Sequence, residues 1–117
     1  NRQLGRRRLL IVYLLGKSSF EFGSIETYLD LAELQSAAGT DVRIVLLHGA
    51  VLMARRNNKF EERLRKLSNA GVRIYFRKED LEARAIEGKS LTSSGTTIGT
   101  IEIMNLAAGS HTLVSVI

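Results

Sequence analysis

A chain of 117 residues, 44% apolar and 25% charged, has material for one buried core and too little for two. It has no cysteine, which excludes a disulfide scaffold, a thiol nucleophile and a cysteine-based zinc or iron–sulfur site; two histidines are too few for a metal cage. Part of the formal charge of +5 comes from Arg6-Arg7-Arg8, which reads as a solvated, flexible basic segment over residues 1–8 ahead of one domain over residues 9–117.

Leu9 to Leu15 (LLIVYLL) is a continuous apolar run of strand length, suited to burial on both faces. Following three arginines it resembles the start of a signal peptide, but Gly16-Lys17-Ser18 interrupts it, and the expectation is a buried first strand. No apolar run approaches the roughly 18 residues that span a membrane. Gly16 to Gly23 reads as a loop, and Ser24 as an N-cap with Thr27 where a capping box would need Glu. Ile25, Tyr28, Leu29, Leu31, Ala32 and Leu34 then keep helical spacing up to a stop at Gly39.

Asp41 to Leu47 reads as the second buried strand, and Ala50 to Arg56 as the start of a helix, broken at Asn57-Asn58. Phe60 to Ser68 is a clear amphipathic helix, with Phe60, Leu64 and Leu67 on one face. Val72 to Phe76 is the third strand, with Ile74 and Phe76 opposite Arg73 and Tyr75, and a short helix over Asp80 to Ala85 follows. Thr96 to Ile98 reads as a strand stub before a helix ending at Gly109, and Thr112 to Ile117 as the closing strand. Alternating strands and helices predict a single three-layer α/β domain, a parallel sheet of about five strands with helices on both faces.

Ligands of open parallel sheets bind beyond the carboxyl ends of the strands. Those ends carry Lys17, His48 with Gly49, and Arg77 with Lys78, which form the candidate ligand or partner rim. Cations and donors there favour an anion. Gly16-Lys17-Ser18 does not complete a phosphate-binding loop, because Ile11 stands where the first glycine is required. His48 has the chemistry of a general base, but no carboxylate stands at a local spacing to orient it. Glu79-Asp80 reads as a pair of helix-start charges, His111 as a turn residue, and no metal-binding set emerges.

Two segments, LLHGAVLMA (Leu46 to Ala54) and VRIYFRKEDLEARAI (Val72 to Ile86), resemble the DsrE/DsrF/DsrH-like sulfur-relay family, in which TusB, TusC and TusD are also grouped. The likeness is closest to the DsrH/TusB branch, rests on packing and turn signatures, and covers most of the chain from Leu9 onward. It implies a DsrE/DsrF-like parallel sheet and persulfide handling in the cytoplasm without a cofactor. It further implies homo-oligomers, or hetero-oligomers with cysteine-bearing DsrE/DsrF-type paralogues. In active branches a cysteine just after the third strand carries the persulfide; the matching position is Arg77, and the family's usual glycine after Ala-Arg is Ala85. An arginine cannot carry sulfane sulfur. The expectation is therefore a non-catalytic, oligomer-forming or accessory subunit of sulfur relay, not a persulfide sulfurtransferase by itself. A second reading is a basic nucleic-acid or small-anion binder that uses Arg6 to Arg8 and the strand-end rim.

Overall fold

The structure, a computed structural model, describes residues 8–21 and 25–117. Arg6, Arg7 and the N-cap assigned to Ser24 lie outside the described residues. The apolar runs become strands at Leu10–Leu15 (β1), Asp41–Leu46 (β2) and Arg73–Arg77 (β3), followed by Thr96–Ile98 (β4) and Thr112–Val116 (β5). Every pairing is parallel, in the order β4-β3-β2-β1-β5. Leu15 pairs with Leu46, and Leu46 with Phe76, so the three central strands end nearly level.

The helices are Ser18–Glu21 (α1), Ile25–Ala37 (α2), Glu61–Asn69 (α3), Lys78–Ala83 (α4) and Thr100–Ala108 (α5). One sheet face carries most of the core: Tyr13, Leu15, Ile44, Leu46, Ile74 and Phe76 pack under Leu29 and Ala32 of α2, Leu64 and Leu67 of α3, and Leu81 of α4. The other face has a smaller cluster, in which Ile103 of α5 covers Val12, Val45 and Leu47. Arg63 ties α3 to α2 through Asp30 and through Glu33 at 2.7 Å. Gly99 donates its N–H to Glu102 at 2.8 Å and so fixes the start of α5.

Three local expectations need correction. The segment from Gly16, expected as a loop, closes a helical turn because both the N–H and the hydroxyl of Ser19 donate to the Gly16 carbonyl. The helix expected from Ala50 is a 3-10 segment over His48–Ala54, whose entry bond, Ala50 N–H to the Leu47 carbonyl, has the tighter spacing. α4 begins at Lys78 rather than Asp80, because extended Arg77 already serves as its N-cap.

Candidate functional site

With β1, β2 and β3 adjacent and level, the loops that begin at Gly16, Leu47 and Arg77 emerge along one edge of the sheet. Lys17, His48, Gly49, Arg77 and Lys78 all lie there, but they do not line a common pocket. Lys17 is exposed, with Nζ 4.0 Å from Glu21, and it lines one hollow together with Gly49. Lys78 lines a different hollow, beside Leu81, Ala85 and Thr97.

The centre of this edge is organised by Asp80, which is only 8% exposed. Its Oδ2 accepts the backbone N–H of His48 at 2.7 Å and Nη1 of Arg77 at 3.2 Å. Its Oδ1 lies 3.7 Å from Nη1 of Arg84, which also donates to the Asp80 carbonyl at 3.2 Å. Asp80 does stand in the first turn of α4, as expected from sequence, and it is buried there as well. A buried carboxylate is tolerable here because two guanidiniums and an amide compensate it. His48 holds a left-handed backbone, φ +53°, and the bond to Asp80 anchors that turn. The carboxylate therefore engages the main chain of His48, leaving its imidazole exposed.

Arg77 is half-buried and occupied. Besides Asp80, its Nε donates to Oγ1 of Thr100 at 3.0 Å and stands 3.7 Å from Glu79. Backbone N–H groups, first that of Glu79 itself and then that of Thr100, hold the Glu79 carboxyl below the usual carboxylate range, and Arg77 adds to this. Two carboxylates therefore offset the Arg77 charge, and the guanidinium links β3, α4 and the first residue of α5. No local pattern pointed to Thr100 or to the His48–Asp80 bond, whose partners are 23 and 32 residues away. The Arg77–Asp80 spacing of three residues at a helix start was the one visible signal.

His111, expected as a simple turn residue, clasps two strand starts. Its Nδ1 accepts the Leu10 N–H at 2.8 Å, while its own N–H donates to the Leu10 carbonyl at 2.8 Å. Among the described residues no group of three or more His, Asp or Glu is placed to hold a metal ion. No helix among them is long and apolar enough to cross a membrane.

Several solved structures share the fold. The YchN protein of E. coli superposes with a TM-score of 0.73 at 19% identity, over 94% of this chain and 99% of that one. A protein of unknown function from Methanobacterium thermoautotrophicum, MTH1491, gives 0.79 at 14% identity, over 92% and 98%. No curated protein matches the sequence significantly. The family model described as DsrH like protein matches residues 17–111, which holds both segments that carried the resemblance, from Leu46 to Ala54 and from Val72 to Ile86. Matched over more than half of its length, the chain belongs to the DsrH-like family.

Proposed function

We propose that the chain is a non-catalytic, oligomer-forming or accessory subunit of an intracellular sulfur relay, working in the cytoplasm beside a cysteine-bearing DsrE/DsrF-type paralogue. One observation carries this reading: the chain has no cysteine, and Arg77 stands where the family resemblance puts the persulfide thiol of active relatives. A protonated guanidinium offers neither sulfur nor a nucleophilic lone pair. Its ties to Asp80, Glu79 and Thr100 support a fixed architectural role for that edge. Around it Lys17, His48, Gly49 and Lys78 make a rim of cations and donors suited to an anionic group or an acidic segment of a partner.

Light scattering of the purified chain, alone and mixed with a purified cysteine-bearing relative, tests this. Assembly in at least one sample is expected, and a strict monomer in both would refute the reading. Cyanolysis after incubation with a sulfur donor provides a second check: sulfane sulfur found on this chain alone would overturn its non-catalytic assignment.

A further inference from the structure

We propose that the hollow beside the ends of β1 and β2 binds a small anionic amphiphile, an apolar body that carries one carboxylate or comparable anion. The hollow measures about 530 Å³ and is lined by Phe20, Gly49, Leu52, Met53 and Phe60, within the range of roughly 300–1,000 Å³ typical of ligand pockets. Phe20 and Leu52 are exposed large apolar side chains, and the rings of Phe20 and Phe60 meet edge to face with centroids 6.0 Å apart. Gly49 leaves the hollow open, because a Cβ built there meets nothing within 4 Å. The site lies beyond the carboxyl ends of two adjacent parallel strands, where such sheets place their ligands.

The charges that line the hollow select the ligand's head group. Lys17 has Glu21 at 4.0 Å as a counter-charge. Lys59 has no carboxylate within ion-pair distance among the described residues, and its ammonium lies 5.3 Å from the centre of the Phe60 ring. One exposed cation without an ion-pair partner among the described residues thus stands beside an apolar wall. A neutral apolar ligand would cover Lys59 without pairing it, and a bare anion would gain nothing from the walls. A molecule with one anionic head and an apolar body satisfies both. This inference does not depend on the accessory-subunit reading.

Titrating the labelled full chain with octanoate, octanol or acetate, followed by amide chemical shifts, tests it. Octanoate is expected to give saturable shifts at Gly49, Leu52, Met53 and Phe60, octanol to bind about threefold to fivefold more weakly, and acetate to leave those amides unmoved. Lys59→Gln should weaken octanoate by about the same factor and leave octanol unchanged. Gly49→Leu, which adds bulk in open space at an ordinary backbone conformation, and Leu52→Asp, which charges the wall, should each weaken octanoate by roughly tenfold. Scattered or non-saturable shifts, equal affinity for octanol and octanoate, or all three variants binding like the parent would overturn the proposal. Light scattering on the same samples separates this from the accessory role. Octanoate binding that appears only when an oligomer is diluted to monomer would assign the hollow to a second copy of the chain and also overturn it.

Discussion

Removing the Asp80 carboxylate strands three groups at once: the His48 amide loses its acceptor, Arg77 keeps only Glu79 as counter-charge, and Arg84 loses its side-chain partner. Asp80→Ala is expected to lower stability by about 2–3 kcal/mol, the scale of a charge-assisted hydrogen bond lost in a buried setting. Asp80→Asn keeps an oxygen for His48 and should cost less. Urea unfolding of both variants checks this, and an Asp80→Ala midpoint equal to the parent's would show that the network contributes nothing. Tyr13 gives a pH signature. Burial pushes its phenol above the usual value, and its hydroxyl donates to Oε1 of Gln35 at 2.6 Å. A raised folded-state value means that the unfolded chain loses this proton first as pH rises. The contribution of Tyr13 is thus complete below about pH 10 and fades above it. Tyr13→Phe should flatten the alkaline fall in stability, measured as unfolding midpoints across pH 8 to 11; an unchanged slope would refute the assignment.

At the scale of elements, α4 ends in a left-handed turn. Ile86 N–H donates to the Leu81 carbonyl at 3.0 Å and Ala85 N–H to the Glu82 carbonyl at 3.1 Å, which leaves Ala85 at φ +54°. Ile86 and Leu81, both buried, close the motif in the core. A glycine at 85 avoids the Cβ penalty but gives back part of the gain through the freer unfolded chain. Ala85→Gly is therefore expected to stabilise by about 0.5 kcal/mol, read as a small rise in thermal midpoint; a fall would mean that the lost entropy dominates. Sequence alone flagged this position, because the resembling family carries glycine there. Strands were legible too, since LIVYLL and DVRIVL are runs of branched residues that only burial on two faces explains. What escaped the sequence was set by tertiary contacts. A four-residue turn such as α1 has no periodicity to read, and the 3-10 geometry of His48–Ala54 follows from how the chain leaves β2 towards Asp80. The candidate edge could be located from strand ends alone. Its division between two separate hollows, and the internal ion network around Asp80, could not.

For the whole molecule, the unequal cover of the two sheet faces matters most. α2, α3 and α4 bury one face, while α5 spans the other almost alone. α5 is apolar beyond the side it buries: Ile101 is 74% exposed and Met104 63%, three residues apart and so on one stripe. At the end of the sheet order lies β5, on which Val114 and Val116 turn towards the larger core. By strand alternation Leu113 and Ile117, both exposed, lie on the α5 side. Exposed large apolar side chains on this side of the molecule suit a covering partner, and the contact of the proposed accessory subunit is expected there. The double substitution Ile101→Glu with Met104→Glu changes two exposed side chains, so the unfolding midpoint should move by no more than about 0.5 kcal/mol in free-energy terms. Assembly should nevertheless be lost, because two carboxylates would be desolvated without partners in the contact. Light scattering reads the assembly and urea unfolding reads the fold, so loss of both would discredit the variant rather than the interface. Assembly that survives on a folded variant would instead move the contact to the exposed stripe of Leu31 and Leu34 on α2 and leave the α5 face without a partner.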